Sequence, residues 1–190
     1  MPAAATTSQR ILDIAERLVQ TRGFNGFSYA DIAAALHVTK ASLHYHYPAK
    51  ADLGKELIER YEKNFLAALE TIDAKSADAR EKLRRYAAIY GDVLGANRMC
   101  LCGMLAAEFG TLPEPMRAEM RHYFDANERW LAGVLQQGKK DKTLRFQGSA
   151  AEVAQSLVGA LEGAMMIARS YADVGRFRAA ATRTLESLAA

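Results

Sequence analysis

Residues 28–50 read Ser-Tyr-Ala-Asp-Ile-Ala-Ala-Ala-Leu-His-Val-Thr-Lys-Ala-Ser-Leu-His-Tyr-His-Tyr-Pro-Ala-Lys, and this stretch decides the fold. Ser28 and Asp31 are spaced much as in a capping box and predict the start of a helix. His37 falls where the chain must turn sharply, since His tolerates a positive φ better than most residues. Thr39 then predicts the N-cap of a second short helix. The pattern indicates two short helices joined by a tight turn.

The second short helix, residues 39–46, carries polar and aromatic side chains where a core helix would carry aliphatic ones. Ala41 and Leu43 are its apolar residues, so one thin side is expected to pack inward. The other side fits a DNA groove, where the N-terminal residues of a helix reach bases and the rest touch phosphates. Pro48 fits the first turn of the next helix, whose N-terminus together with Lys50 could seat a phosphate. Taken singly, these residues also fit an ordinary surface helix, but their ordered spacing favours DNA binding.

Residues 9–53 resemble the N-terminal domain of the tetracycline-repressor (TetR/AcrR) family of transcriptional regulators. The matching pattern is Ile11-Leu12-x-x-Ala15, Gly23-Phe24, Ser28-x-x-x-Ile32-Ala33, Val38-Thr39-Lys40-Ala41-Ser42-Leu43, Tyr47-Pro48-x-Lys50 and Leu53. The resemblance implies an all-α fold, with a three-helix helix-turn-helix head in residues 1–48 and a helical effector-binding and dimerisation domain in residues 49–190. It also implies a homodimer on a palindromic double-stranded DNA operator. Residues 1–7 are expected to be a disordered tail.

The candidate DNA-binding residues follow from the motif and the resemblance together. Residues 39–46 are expected to enter the major groove, and Ser28, Tyr47 and Lys50 to hold the head on phosphates. His44 stands where the resembled family usually has tyrosine, and His37 where it usually has a turn glycine. The full candidate set is Ser28, Thr39, Lys40, Ala41, Ser42, His44, Tyr45, His46, Tyr47 and Lys50.

Amphipathic patterns predict helices through the remaining chain. Thr111 with Glu114, and Ser149 with Glu152, stand at capping-box spacing. The helix after Ser149 is apolar on most sides and must be covered. We expect the last two helices to form a four-helix bundle with those of a second chain, the alternative being that they only close the monomer core. The predicted ranges are about 8–22, 49–73, 77–95, 98–109, 113–137, 150–171 and 175–188.

The resemblance implies a repressor that an unidentified small molecule releases from DNA by binding in the helical body. Met and aromatic side chains suit an adaptable, mostly apolar pocket, although each also fits a plain core role. Glu162 and Arg169 interrupt an apolar helix two turns apart, either as polar anchors in that pocket or as a pair at the dimer interface. The candidate ligand-binding residues are Tyr86, Tyr90, Met104, Phe109, Phe124, Trp130, Glu162, Met165, Met166 and Arg169.

Cys100 and Cys102 support an alternative hypothesis, a regulator that senses oxidants or electrophiles. If Asn97 caps the short helix, Cys100 lies at its third position near Arg98, and a helix N-terminus and a cation both make a thiol more reactive. Residues two apart on a helix point to nearly opposite sides, so the two thiols are badly placed to pair with each other. A buried cysteine is otherwise a small hydrophobe.

Composition and missing motifs exclude other classes of protein. Half of the 190 residues are hydrophobic, a quarter are charged and the net charge is +3, as in an ordinary globular protein. The chain shows no membrane-spanning run or secretory signal, and two cysteines fit a reducing cytoplasm. It has no phosphate loop or catalytic triad spacing, and His44 with His46 is a weak metal site, so we expect no enzyme, cofactor or metal. A helical protein-interaction adaptor would explain the C-terminal helices but not residues 37–50.

Overall fold

The computed structural model describes residues 6–190 and confirms the all-α class. Within that range an isolated antiparallel bridge joins Leu144 to Ala189, and no strand forms. The helices are α1 (Thr7–Arg22), α2 (Tyr29–Leu36), α3 (Lys40–His46), α4 (Lys50–Lys75), α5 (Ala79–Gly95), α6 (Leu101–Ala107), α7 (Glu114–Lys140), α8 (Ala150–Ser170) and α9 (Val174–Glu186), with a 3₁₀ turn at Phe109–Thr111.

Short polar side chains start several of these helices, as the sequence predicts. The Ser28 hydroxyl accepts a hydrogen bond from the Ala30 backbone N at 3.2 Å, and the Asp31 carboxylate accepts one from the Ser28 backbone N at 2.8 Å. Thr39 Oγ1 accepts from the Ser42 backbone N at 3.2 Å and caps α3. His37 ends α2 with φ 56°, in the left-handed region. These contacts confirm the two helices and the tight turn.

Predictions for the tail, Pro48 and Thr111, each next to a helix start, are wrong. The tail prediction for residues 1–7 fails at Thr6 and Thr7, because Thr6 caps α1 with a capping box and Thr7 begins it; residues 1–5 lie outside the described residues. Pro48 precedes α4 by two residues instead of lying in its first turn. Thr111 does not cap α7, because its hydroxyl donates to the Glu108 carbonyl oxygen at 2.9 Å inside the 3₁₀ turn.

The chain folds into two compact units, one of residues 6–62 with 101–121 and the other of residues 63–100 with 122–190. The division therefore falls within α4 and α7. The predicted domain boundary after residue 48 separates DNA-binding from effector-binding residues, and it stays a prediction about function.

In the first unit, α1 packs on α2 and α6, and α2 packs on α3. Apolar residues at helical spacing enclose the core, because each helix turns one face of its pattern inward. The buried residues of this core include Ile11, Leu12, Ala15, Val19, Phe24, Phe27, Ile32, Leu36, Leu43, Leu53 and Leu57.

The loop between α1 and α2 is held by a carboxylate from far along the chain. Glu108 Oε2 accepts a hydrogen bond from the Phe24 backbone N at 2.5 Å, and Oε1 accepts one from the Asn25 backbone N at 3.1 Å. Gly23 has φ 81°, and a Cβ there would lie 2.7 Å from Glu108 Oε1. A side chain at residue 23 would therefore displace the Glu108 carboxylate from its present position at the loop.

In the second unit, α5, α8 and α9 pack on one another. α8 starts with the predicted capping box, since Ser149 Oγ accepts from the Glu152 backbone N at 3.2 Å. Its buried side is a nearly continuous apolar stripe that packs against α5 and α9 and forms much of the core of this unit. The stripe and its partners on α9 include Ala154, Leu157, Leu161, Met165, Ala168, Phe177 and Ala181.

Candidate functional site

The buried side chain of Leu43 shows which face of α3 points inward and which points outward. Leu43 is fully enclosed, whereas the Tyr45 side chain is 85% exposed. Lys40, Ala41 and His44 are exposed as well. The predicted inward position of Ala41 is wrong, because residues two apart on a helix point about 200° apart and Leu43 takes the core side. α3 therefore presents polar and aromatic groups from a firmly anchored backbone.

His44 is held in place at the C-terminal end of this face. Its Nδ1 lies 3.3 Å from the Pro48 carbonyl oxygen, and its ring centroid lies 4.8 Å from that of Tyr29. A carbonyl oxygen can only accept, so Nδ1 carries a proton in this contact. Tyr29 is itself fixed, since its hydroxyl donates to the Tyr47 carbonyl oxygen at 2.8 Å. In the neutral imidazole, Nε2 of His44 is then an acceptor.

Tyr45 and His46 lie side by side at the end of α3. Their rings meet edge to face with centroids 5.3 Å apart. His46 is half-buried, so Tyr45 is the more accessible of the two. An exposed phenol supported by a neighbouring ring can touch either a base edge or a phosphate.

Ser28 lies at the exposed N-terminus of α2, with its hydroxyl engaged. Ser28 Oγ donates to Asp31 Oδ2 at 2.8 Å, and the hydrogen bonds from Ser28 lower the pKa of Asp31. A phosphate contact that needs the Ser28 proton would have to replace this bond.

Tyr47 points inward, contrary to the predicted phosphate contact. Its side chain is 3% exposed, and its hydroxyl lies 2.7 Å from the Ser8 hydroxyl. Burial raises the pKa of Tyr47. Tyr47 therefore joins α1 to the end of α3 and supports the candidate surface from behind.

Lys50 is also turned inward, so its predicted role as a phosphate seat needs correction. Its Nζ donates to the Phe24 carbonyl oxygen at 2.5 Å and to that of Phe27, and it lies 4.5 and 4.0 Å from the centroids of those two rings. Burial lowers the pKa of Lys50, while Glu108 and Asp31 act in the opposite direction. An ammonium has three protons, so at most one is left for a phosphate.

The predicted effector residues Tyr86 and Tyr90 form a closed hydrogen-bonded triangle with Asn127. Tyr86 donates to Asn127 Oδ1 at 2.9 Å, and Asn127 Nδ2 donates to the Tyr90 hydroxyl at 3.2 Å. The two tyrosine hydroxyls lie 3.0 Å apart, so Tyr90 must donate to Tyr86. Asn127 is fully buried and was missed by sequence reasoning. A buried amide in an amphipathic helix resembles a surface residue when only its own helix is considered.

Aromatic rings surround this triangle. The Tyr86 ring stacks on Trp130 with centroids 5.7 Å apart and meets Phe65 at 6.2 Å. Phe65 in turn lies 5.3 Å from Tyr123. The structure thus brings together Tyr86, Tyr90 and Trp130 of the candidate set and adds Phe65 and Tyr123. Both additions stand in plain amphipathic stripes, which carry no signal for a site.

Glu162 is the one acidic residue of the candidate effector set, and its charge is buried in this unit. Neither carboxylate oxygen has a hydrogen-bond partner within residues 6–190. Burial raises the pKa of Glu162 to about 7, and the Cys100 thiol opposes this weakly. Burial is the main reason why the pKa values of Tyr86 and Tyr90 are raised, and the charge of Glu162 raises both further. This effect on both hydroxyls places Glu162 near the triangle. Arg169 lies two turns further along α8 and is half-buried.

Other candidate effector residues are not gathered at this place. Met104 and Phe109 belong to the other compact unit, and Phe109 is 42% exposed with the Arg117 guanidinium 4.9 Å from its ring centroid. Met166 is 53% exposed on the outer side of α8. Met165 is buried, and Phe124 packs edge to face against Tyr123. A single-helix pattern identifies apolar residues but not which neighbour each one meets.

Both cysteines are reduced and buried, with Cys100 2% and Cys102 0% exposed. The predicted placement of Cys100 in the first turn of α6 is wrong, because α6 begins at Leu101 and Cys100 precedes it. Asn97 does not cap α6 but takes φ 57° in the turn after α5. Burial restricts the access of oxidants, so nothing in the geometry favours the redox hypothesis.

Two open cavities lie in the second unit. One of about 600 Å³ lies between α5 and α9 and contains none of the candidate residues. The other, of about 360 Å³, is lined by Trp130, Asp73 and Lys82 among others. Trp130 Nε1 donates to Asp73 Oδ2 at 2.8 Å, which holds the indole in the wall of that cavity.

The outer side of α8 is apolar and uncovered. Met166 and Ile167 are 53% and 58% exposed. Gly159 and Gly163, one turn apart, have open space where a Cβ would be. Such a surface on a helix fits close approach by another helix.

Metal ligation and membrane insertion find no support in the described chain. Residues 6–190 contain no group of three or more His, Cys, Asp or Glu side chains that could hold a metal ion. No helix in the same range is both long and apolar enough to cross a membrane.

Known proteins match this chain along most of its length. The family model described as bacterial regulatory proteins, tetR family, matches residues 11–57, and that of the tetracyclin repressor-like C-terminal domain matches residues 79–184. The transcriptional regulator AcuR of Cereibacter sphaeroides is 27% identical over 88% of this chain and 78% of AcuR. The transcriptional repressor DhaR of a Mycobacterium species is 21% identical over 86% and 83%. The crystal structure of a TetR-family regulator from Agrobacterium tumefaciens is 32% identical, with a TM-score of 0.93 over 96% of this chain and 97% of that one.

Proposed function

This chain belongs to the tetR family of bacterial regulatory proteins, and we propose that it represses transcription from a palindromic operator until a small molecule releases it. Regulators of this family are ligand-responsive, bind DNA and typically form homodimers. The family consists of regulators, not enzymes. Because the operator lies on the chromosome, the proposed place of action is the bacterial cytoplasm.

The observation that carries the proposal is the exposed face of α3. Tyr45 stands almost fully exposed, and Lys40, Ala41 and His44 share the surface while Leu43 anchors the helix from behind. A helix fixed in this way can enter the major groove without reorganising its backbone. We assign base and phosphate contacts to the N-terminal half of α3 and to His44, Tyr45 and His46. Tyr47 and Lys50 act as supports for that surface.

The homodimer is proposed to form through α8 and α9. Met166 and Ile167 would lie against the same residues of a second copy, as in a two-fold symmetric interface. A two-fold dimer presents two α3 helices to two half-sites, which explains why the operator should be a palindrome.

The effector must act on an equilibrium between two arrangements of the dimer. A ligand shifts that equilibrium only if it binds the arrangement that cannot hold DNA more tightly than the other. We place its binding site in the second compact unit, around Tyr86, Tyr90 and Glu162, because this is where polar groups are gathered in an otherwise apolar interior.

The test is a binding selection from random duplex DNA at near-physiological salt. The wild-type protein should enrich a palindrome. Tyr45→Ala should weaken binding to it by about 5-fold to 150-fold, the loss expected for one base-reading contact. Phe109→Ala removes an exposed aromatic of the same compact unit outside α3 and should bind like the wild type. A folded wild-type protein that enriches no sequence, or equal losses in both variants, would contradict the proposal.

A further inference from the structure

Glu162 places a carboxylate in the second compact unit with no cation to match it, and the neighbouring Cys100 thiol is only a weak donor. Both carboxylate oxygens are buried, and neither is hydrogen-bonded in the part of the chain that the structure describes. An isolated buried carboxylate is strongly unfavourable in a folded protein. Glu162 also interrupts a helix whose inner side is otherwise apolar, including Leu161 and Met165. A group that destabilises the fold in this way is a candidate for binding a ligand.

The Tyr86 and Tyr90 hydroxyl groups near Glu162 cannot satisfy it. Within the triangle, Tyr90 donates to Tyr86, Tyr86 donates to Asn127, and the Asn127 amide donates back to Tyr90. Each tyrosine has a single hydroxyl proton, and both protons are used inside the triangle. The carboxylate therefore receives no proton from this self-contained triangle and has only the weak Cys100 thiol as a donor. What is missing at this place is a positive charge.

Aromatic rings supply the second half of a cation site. The rings of Phe65, Tyr86, Tyr123 and Trp130 follow one another at centroid distances of 5.3 to 6.2 Å. Ring faces attract an ammonium group, and more strongly when water is excluded. A buried acid near the Tyr86 and Tyr90 rings of this aromatic group therefore favours a cation of low hydration over a neutral molecule, and it repels an anion.

One ring of this aromatic group, that of Trp130, lies at a cavity that is open to solvent. The indole lines the open cavity of about 360 Å³ and also stacks on the Tyr86 ring. The Trp130 side chain is thus a wall shared by the cavity and the aromatic group. Its hydrogen bond to Asp73 is also at the wall of this cavity.

We propose that Glu162 and the surrounding aromatic rings bind a small organic cation, an amine or a quaternary ammonium ion, and that this ion is the effector. The claim that this ion is the effector rests on the proposed function, whereas the claim that the ion binds does not. The ion supplies the missing partner of the carboxylate and lies against the ring faces. Arg169 does not take this place, since neither carboxylate oxygen of Glu162 is hydrogen-bonded within residues 6–190.

The cation should compete with a proton. Burial keeps part of Glu162 protonated near pH 7, and only the ionised form attracts the ligand. Affinity for the cation should therefore rise as the pH increases through about 7, and binding below that pH should release a proton. A neutral ligand held by packing alone would show neither effect.

The test is calorimetry of the full-length protein at pH 8 without DNA. The probes are choline with its uncharged isostere 3,3-dimethylbutan-1-ol, and butylammonium with butan-1-ol. The wild type should bind at least one cation about tenfold more tightly than its neutral counterpart, the order expected for a desolvated cation site. Glu162→Gln should remove the preference. Glu152→Gln, on the same helix but exposed and still able to form the capping box, should keep it.

Several results would overturn the inference. Equal affinity of the wild type for charged and uncharged probes would do so, as would no binding of either cation. A preference that survives in Glu162→Gln would place the cation elsewhere. These readouts do not involve DNA, so they are independent of the operator selection. If a selected operator were released by an anion or a neutral molecule, the proposed regulatory function would stand and the cation would not be its effector.

Discussion

The carboxylate of Glu162 makes the stability of this protein depend on pH in an unusual direction. Most structural carboxylates are stabilised by partners, and their pKa values fall on folding. Burial instead raises the pKa of Glu162 from 4.5 to about 7, and the Cys100 thiol offsets only part of this rise. The folded state therefore holds this proton more tightly than the unfolded chain. The protonated Glu162 carboxyl therefore makes its full contribution to the free energy of unfolding below about pH 4.5, and this contribution is lost as the pH rises through about 7.

Replacing Glu162 by Gln should stabilise the protein, and by more at pH 8 than at pH 5. The pKa shift of Glu162 means that the free energy of unfolding of the variant exceeds that of the wild type by an amount that grows by roughly 2–3 kcal/mol from pH 5 to pH 8. Urea unfolding at both values measures it, with Glu152→Gln as the control for removing one charge from α8. If the difference in free energy of unfolding between Glu162→Gln and the wild type does not change with pH, the Glu162 carboxylate is solvated or paired in solution.

Side-chain direction is where sequence reasoning succeeded and failed within a few residues. Ser28, His37 and Thr39 could be assigned because caps and turns depend on local backbone geometry. Tyr47 and Lys50 could not, because a phenol or an ammonium near a surface helix can turn outward to a phosphate or inward to a carbonyl. Their inward direction depends on Ser8 and on the loop between α1 and α2, which are close only in the folded chain.

The loop between α1 and α2 depends on a residue without a side chain. Gly23 combines φ 81° with ψ 167°, a conformation that is essentially restricted to glycine. Its missing Cβ also leaves room for the Glu108 carboxylate, which accepts from the Phe24 and Asn25 amides. Backbone conformation and tertiary contact therefore require the same residue.

Gly23→Ala should lower the free energy of unfolding. The backbone conformation alone costs about 1–3 kcal/mol for a residue with a side chain. Moving Glu108 away from the new methyl group would also break its two amide contacts. Gly110→Ala is the matched control, because a methyl group added there would have open space within 4 Å and the φ of Gly110 is not positive. Thermal unfolding compares the two, and equal melting temperatures would contradict this account of the loop.

Helices were easier to predict than their ends. Long amphipathic stripes such as those of α1, α5 and α8 are repeated over several turns, so each additional turn reinforces the assignment. The start of α6 was misplaced because Asn97 suits either end of a helix, as an N-cap or in the left-handed position that ends one. Asn97 ends α5, a choice that only packing decides.

At the scale of the whole molecule, the uncovered side of α8 is the surface that we propose for the dimer. Met166 and Ile167 are more than half exposed beside Gly159 and Gly163, which leave the helix backbone accessible. A second copy related by a two-fold axis would bury the same residues on both chains. The family typically forms homodimers, and this face offers a suitable surface for one.

Ile167→Glu should convert the proposed dimer to a monomer, because it would place two like charges in the proposed two-fold interface without water. Light scattering after size exclusion measures the mass, and affinity for the selected palindrome should fall with it. Gln136→Glu adds the same charge at an exposed position of α7 and should leave the dimer intact. A dimer that survives Ile167→Glu would place the interface elsewhere.

The contact of Glu108 with the backbone of Asn25 joins residues 83 positions apart, and this has a consequence for how the protein is made. At about 5–20 residues per second, a ribosome needs about 4–17 s to add that length of chain. During this time the α1–α2 loop has been synthesised but lacks the carboxylate that holds it. The DNA-reading end of the protein is therefore translated first but completed late, after residues 63–100 of the other compact unit have already been added.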